Sequence, residues 1–169
     1  MRAAVVYYSL EGNTRAAAEA LAKRLDAKLV EVKTAKAYPK KGLRKFLVGG
    51  KDSMVGSTPP IEPVDLDPAS LDLVVLALPM WAGKAAAPIN SLLKQVNLSG
   101  TRVALMVASA SGDASSCVAD LAKKLGAKVA DLPVLSLTNP GKMDAASLGA
   151  KVDGFASSLE GSTGGGGAF

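Results

Sequence analysis

The chain contains no histidine, a single cysteine and a single tryptophan among its 169 residues. Without histidine it has no Ser-His-Asp or Cys-His catalytic unit, and it lacks the imidazole that most often shuttles protons near neutral pH. The lone thiol, Cys117, cannot form a disulfide within the chain, and one cysteine is too few for an iron–sulfur cluster or a structural zinc site. Reactions that side chains alone do not support, such as electron transfer, would therefore require a bound cofactor.

Long hydrophobic runs are also missing. The longest, at residues 73–81, is far shorter than the roughly 18 residues of a membrane-spanning helix, and the apolar run at residues 3–8 is short for a signal peptide. We therefore expect no membrane span and a cytoplasmic location. The length favours a single domain, assigned to residues 1–160, and the glycine-rich tail at residues 161–169 is predicted to be disordered.

Short runs rich in valine, leucine and alanine alternate with segments of helical periodicity. The runs predict five strands, at residues 3–8, 28–33, 71–78, 102–108 and 133–137, the third ending at Pro79. The periodic segments predict helices at residues 13–25, 86–96, 115–125 and 143–159. This alternation is typical of βαβ units, so the predicted fold class is α/β, with a parallel sheet covered by helices on both faces.

One segment, residues 34–67, interrupts the alternation between the second and third strands. It is rich in proline and glycine, so we expect it to be mostly irregular, with one short helix near residues 43–48. Residues 33–51 contain seven basic residues and no acidic one, in a chain of net charge +5. No groove-reading motif accompanies the charge, so we expect no nucleic-acid partner. The segment is either a solvated loop or a docking patch for an acidic protein or an NADPH phosphate.

Three polar loops follow strands at the edge where open parallel sheets bind ligands. The first opens into a helix, so its hydroxyls, its glycine and the free N–H groups of the helix form a nest for a phosphate. This loop consists of Ser9, Leu10, Glu11, Gly12, Asn13 and Thr14. Taken alone, it is also compatible with an ordinary capped helix.

The second loop carries the only tryptophan, beside small residues, and offers a face on which a planar ligand can stack. It consists of Pro79, Met80, Trp81, Ala82 and Gly83. The third loop offers small polar residues and backbone N–H groups, and consists of Ser109, Ala110, Ser111, Gly112 and Asp113. A tryptophan packed on its own domain and an ordinary helix cap are the alternatives. Together, the three loops fit a mononucleotide with a flat ring system.

Two of these loops resemble those of a known family. Residues 5–14 resemble the phosphate loop of flavodoxins, with the pattern S/T-x-T/E-G-N-T after the first strand, and residues 76–83 resemble the ring-binding loop of flavodoxin-like proteins. The resemblance implies a three-layer flavodoxin-like sandwich of the short-chain plan, with a five-stranded sheet in the order 2-1-3-4-5. It implies FMN as cofactor, with its phosphate on the first loop, its isoalloxazine along the second and its pyrimidine edge at the third.

Two departures from the family leave the role open. The third loop lacks the aromatic residue that covers the outer flavin face in typical flavodoxins, and the net charge is positive where theirs is strongly negative. The leading hypothesis is a redox protein, a monomer or weak homodimer, that transfers electrons to a partner protein through bound FMN. One alternative is an NAD(P)H-dependent quinone or flavin reductase of the same fold. Another is an interaction scaffold without flavin.

No catalytic side chain and no metal site is predicted in any of these hypotheses. A signalling receiver has the same topology, but it needs a phosphate-accepting aspartate after the third strand. The chain has Pro79 and Met80 at that place, so this class is discarded.

Overall fold

Apart from one short additional strand, strands and helices alternate along the chain in the order that the sequence predicts. The computed structural model describes residues 1–38 and 43–161, and only the backbone of residues 43–47. The strands are β1 (Ala3–Tyr7), β2 (Lys28–Glu31), β3 (Leu73–Trp81), β4 (Lys84–Ala85), β5 (Arg102–Ser109) and β6 (Val134–Thr138). The helices are α1 (Asn13–Leu25), α2 (Leu43–Met54), α3 (Ala87–Gln95), α4 (Ser115–Leu125) and α5 (Ala145–Gly161).

Five parallel strands form the sheet, in the order β2-β1-β3-β5-β6. Numbered among themselves, these five strands have the predicted order 2-1-3-4-5, so the predicted α/β flavodoxin-like fold is confirmed. The short β4 folds back on the end of β3 as an antiparallel hairpin. β2 pairs with one side of β1 and β3 pairs with the other side. The direction in which strands are added to the sheet therefore reverses between β1 and β3, and this position is the topological switch point.

Two apolar cores, one on each face of the sheet, make the three layers. Successive residues of a strand point to opposite faces, so Val5 packs with α1 and α5, whereas Val6 packs with α3 and α4. Leu21 and Leu159 anchor the first core, and Leu76 the second, all fully buried. β3 and residues 103–108 of β5 are apolar throughout because both faces of these central strands are covered.

Pro79 does not end the third strand, contrary to expectation. β3 continues through it to Trp81, and Pro79 is the last residue of β3 in register with β5, opposite Ala108. A proline has no N–H to donate, but its carbonyl accepts a hydrogen bond of 3.1 Å from the N–H of Ala86. Pairing with the β4 hairpin therefore extends the strand beyond the residue that was expected to stop it.

Residues 34–67, the segment that contains most of the basic residues between β2 and β3, are more regular than the sequence predicts. A short helix near residues 43–48 was expected, but α2 has twelve residues and runs through Gly49 and Gly50. Two adjacent glycines disfavour a helix, so the prediction ended it too early. Residues 57–67 follow without a helix or a strand, apart from a single bridge from Ile61 to Thr34.

Parts of two predicted features lie outside the described residues. These are Lys40 and Lys41 of the basic segment and residues 162–169 of the glycine-rich tail, of which Gly161 is the last residue of α5. Within the described ranges, no helix combines the length and the apolar character needed to cross a bilayer.

Candidate functional site

A cavity of about 550 Å³ lies at the carboxyl edge of the sheet, where the loops after β1, β3 and β5 meet. This is the switch point at which open α/β sheets bind ligands, and the volume is within the usual range for small-molecule sites. Ten predicted residues line it: Ser9, Leu10, Glu11, Asn13, Thr14, Pro79, Met80, Trp81, Ala82 and Ala110. Gly50 of α2 and Asn139 after β6 complete the lining.

The loop after β1 presents the start of α1 to the cavity. Gly12 has φ +94°, a conformation that suits glycine, and its N–H donates to Ser9 Oγ at 3.0 Å. The first helical hydrogen bond runs from the N–H of Ala16 to the carbonyl of Gly12, at 3.0 Å. The N–H groups of Asn13, Thr14 and Arg15 therefore have no helical acceptor. Within the described residues no side chain caps this helix, so these N–H groups are of the kind that bind anions at helix starts.

The side chains around this helix start divide into two groups. The Thr14 side chain is buried and lines the cavity. The Arg15 guanidinium instead pairs with Glu19 at 2.7 Å, one turn along the exposed face of α1. Attraction for an anion thus comes from the N–H groups and the helix dipole, and the arginine is engaged elsewhere.

The loop after β3 is a tight hairpin turn that joins β3 to β4. Ala82 and Gly83 both have positive φ, +50° and +76°, as the two central residues of a type I′ hairpin turn require. The Ser116 hydroxyl on α4 donates to the Gly83 carbonyl at 2.9 Å. Helix α4 therefore fixes the position of the turn that carries Trp81 and Ala82 at the cavity.

A second contact with α4 holds the same hairpin. Lys84 Nζ lies 2.9 Å from Asp120 Oδ1, and Lys124 pairs with the other carboxylate oxygen. Burial acts to raise the pKa of Asp120, but the hydrogen bonds and charges of Lys124 and Lys84 outweigh it, so the pKa is lowered. The carboxylate stays charged at neutral pH, and Lys84 is directed toward α4 instead of the cavity.

Trp81 is held in place by an aromatic cluster. Its ring meets Tyr8 edge-on, with centroids 5.6 Å apart, and Tyr38 at 5.3 Å. On α2, a Cβ added at Gly49 would lie 3.1 Å from the indole, so the glycine is what allows the helix to come this close. Burial raises the pKa of Tyr8 to about 12, so its hydroxyl remains neutral. The indole is thus a fixed wall of the cavity.

The loop after β5 contributes less to the cavity than predicted. It turns back on itself, with the N–H of Gly112 donating to Ser109 Oγ at 2.9 Å and Asp113 accepting from the N–H of Ser115 at 2.9 Å. Of its predicted residues, only Ala110 lines the cavity. The carbonyl of Ala110 accepts from Asn139 Nδ2 at 3.2 Å, which ties this loop to the one after β6.

Six predicted residues therefore do not line the cavity: Gly12, Gly83, Ser109, Ser111, Gly112 and Asp113. Gly12 and Gly83 shape the turns that carry their neighbours, and the other four are engaged within the third loop. That any predicted residue binds a cofactor remains a prediction. The sequence reasoning missed Gly50 and Asn139. The signal for Asn139 was its place directly after the last strand, at the same sheet edge.

Fold and cavity together define a flavodoxin-like α/β protein with a cavity at its switch point. The sequence model of the flavodoxin family matches residues 2–150. The chain belongs to the flavodoxin family, which confirms the resemblance found in its sequence.

Two solved structures show how similar the chain is to known proteins. A flavoprotein from Lactobacillus acidophilus NCFM, solved in complex with FMN, is 25% identical, with a TM-score of 0.66, 81% of this chain covered and 91% of that chain. A protein from Bacteroides uniformis ATCC 8492 is 21% identical, with a TM-score of 0.72 and coverage of 88% and 96%. The second likeness concerns the fold alone. No curated protein matches the chain significantly.

Proposed function

We propose that this protein binds FMN in the cavity at the switch point and carries electrons through it as a cytoplasmic redox protein. The observation that carries the proposal is the pairing of two features in one cavity of about 550 Å³. One is the uncapped start of α1, and the other is the fixed indole of Trp81. Membership of the flavodoxin family and the FMN complex of the Lactobacillus relative support it.

The donor set at the start of α1 fits a phosphate. The N–H groups of Asn13, Thr14 and Arg15 have no helical acceptor, and anions bind well where such groups converge at a helix start. The hydroxyls of Ser9 and Thr14 lie in the same lining and can donate as well. These residues would hold the FMN phosphate.

The other half of the cavity fits a flat ring. Leu10, Pro79, Met80, Trp81 and Ala110 give it largely apolar walls. These residues would contact and orient the ring system, with the hairpin turn at Ala82 along its edge. Bound FMN supplies the one- and two-electron redox chemistry that the side chains of this chain lack.

The cheapest test is the colour of the purified protein. We expect a flavin absorption spectrum, or its appearance as the apoprotein is titrated with FMN, with a stoichiometry of one. Quenching of Trp81 fluorescence should accompany binding, since the only indole of the chain lines the cavity. A chain that neither carries nor takes up FMN would be the flavin-less scaffold instead.

Replacing the indole tests its place in the site. Trp81→Ala should weaken FMN binding by about 1 kcal/mol or more, roughly fivefold, because a stacked aromatic contact is lost. Trp81→Phe keeps an aromatic face and should recover part of the affinity. The measurement is an FMN titration of each apoprotein, after circular dichroism has shown that the variant is folded. Equal affinity of the wild type and the alanine variant would contradict stacking on this side chain.

A quinone or flavin reductase remains a second candidate, favoured by one observation. The third loop offers only Ala110 to the cavity and contains no aromatic residue that could cover the ring. A small substrate could therefore approach the cofactor from this side. Rapid, quinone-dependent oxidation of NAD(P)H by the FMN-loaded protein would identify an enzyme, and slow oxidation with and without quinone would identify a carrier.

A further inference from the structure

The positive charge of the chain is concentrated in one stretch of its sequence. Residues 33–51 contain seven basic residues and no acidic one. The rest of the chain has thirteen basic and fifteen acidic residues, a net charge of −2. A local excess of one sign on a nearly neutral body orients an approaching protein of opposite charge.

Two parts of this segment are brought together by one hydrogen bond. The Tyr38 hydroxyl donates to Asp52 Oδ2 on α2 at 2.8 Å. Lys36 lies two residues before Tyr38 and Lys51 directly before Asp52, so the bond brings the two lysines into one region. Lys33, Lys36 and Lys51 are exposed, and none forms an ion pair with a carboxylate in the described part of the chain.

The same region exposes apolar side chains. Val48 and Lys51 lie on the outward face of α2, and Val55, directly after its last residue, continues the same spacing. Val55 is 68% exposed and Met54 is 69% exposed, which is unusual for large apolar residues at adjacent positions. An apolar centre flanked by charged residues is the usual composition of a protein–protein interface. We call Lys33, Lys36, Val48, Lys51, Met54 and Val55 the α2 face.

The α2 face borders the cavity. Gly50 lines the cavity, and Met54 lies four residues later, one turn along the same side of the helix. At the other end of the face, Lys33 lines a smaller cavity of about 280 Å³ that shares Ser9 and Leu10 with the candidate FMN cavity. A protein bound to the α2 face would therefore sit beside the cofactor.

We propose that the α2 face docks an acidic redox protein that exchanges one electron at a time with the bound FMN. This inference rests on the proposed function, because it assigns a partner to the same site. The partner carries a patch of carboxylates that pairs with the lysines, and an apolar centre that covers Met54 and Val55. When the partner is the donor, its metal centre is oxidised by one electron as the bound cofactor is reduced by one.

The test uses the full chain loaded with FMN and a small acidic ferredoxin of the 2Fe–2S type as the probe. The test variant is Lys33→Glu/Lys36→Glu/Lys51→Glu. The matched control is Lys123→Glu/Lys128→Glu/Lys151→Glu, which makes the same change in net charge at exposed lysines outside the α2 face. Stopped-flow absorbance follows electron transfer from reduced ferredoxin at several ionic strengths.

We expect the wild-type rate constant to fall as salt rises, because the charges attract. The test variant should react about 10-fold more slowly than the wild type at low salt, and the control should change far less. Met54→Gln should slow the reaction while leaving its salt dependence unchanged. Equal losses in the two triple variants, or a rate that does not respond to salt, would overturn the proposal.

Two further measurements distinguish failure of the docking proposal from failure of the proposed function. FMN titration of each variant shows whether the cofactor binds, and failure there overturns the proposed function. Binding of oxidised ferredoxin to the apoprotein, followed by nuclear magnetic resonance, tests docking without the cofactor. If the test variant instead raises KM for NADPH and leaves ferredoxin binding intact, the lysines bind a nucleotide phosphate and the docking proposal is wrong.

Discussion

FMN should bind this protein at least about 100-fold more tightly than riboflavin, which has the same ring and no phosphate. Hydrogen bonds to a charged group contribute about 1.5–3 kcal/mol each, so two donors at the start of α1 supply this difference. The N–H groups of Asn13, Thr14 and Arg15 provide three donors without a helical acceptor. Fluorescence titration of the apoprotein with each ligand measures both dissociation constants.

Two variants locate the source of this preference. Thr14→Val removes a buried hydroxyl at the cavity and should reduce the preference for FMN by about 10-fold, with riboflavin affinity nearly unchanged. Arg15→Gln is the matched control, because the Arg15 side chain pairs with Glu19 on the exposed face of α1. A larger effect of Arg15→Gln than of Thr14→Val would show that the phosphate is held by the guanidinium and not by the helix start.

The part of the site that is contiguous in sequence could be predicted from the sequence. Ser9 to Thr14 follow a buried strand and open a helix, so their hydroxyls, the glycine and the helix N–H groups are adjacent in any βα unit. Pro79 to Trp81 likewise end a strand that is apolar throughout, and Ala82 follows it directly. In both loops, local spacing alone determines where the residues lie relative to the sheet edge.

The remaining lining depends on contacts between distant parts of the chain. Gly50 reaches the cavity because α2 packs against Trp81 through Gly49, whereas the glycine pair itself suggests a turn. Asn139 has φ +43° and bonds to the carbonyl of Ala110, a contact that exists only because β6 lies beside β5. Neither packing contact is visible as a local pattern.

In the third loop, the local pattern predicted more cavity-lining residues than the structure contains. Its small polar residues suggested contacts with a ligand, but Ser109, Ser111 and Asp113 use their side chains within the loop. Gly112 has φ +80°, and its carbonyl accepts a hydrogen bond from Ser136 on β6. Polar loops that stabilise themselves cannot be distinguished by composition from loops that bind ligands.

Stability of the sheet should depend strongly on Leu76 at its centre. Leu76 is fully buried on β3, between β1 and β5, in the core that packs against α3 and α4. Leu76→Ala should lower the free energy of unfolding by about 2–5 kcal/mol, because it removes buried apolar surface and leaves a cavity. Leu29→Ala on the edge strand β2 is the control, since Leu29 is 38% exposed and should lose much less. Urea unfolding followed by circular dichroism measures both.

FMN should offset much of that loss, which links the fold to the proposed site. A ligand that binds only the folded state stabilises it by about 2.7 kcal/mol when present at 100 times its Kd. Leu76 lies in the core and does not line the cavity, so Kd itself should stay nearly unchanged in Leu76→Ala. Unfolding curves with FMN at this excess should shift equally for the wild type, Leu76→Ala and Leu29→Ala. A shift in the wild type that is absent in Leu76→Ala, at matched saturation, would mean that the cavity depends on the packing beneath it.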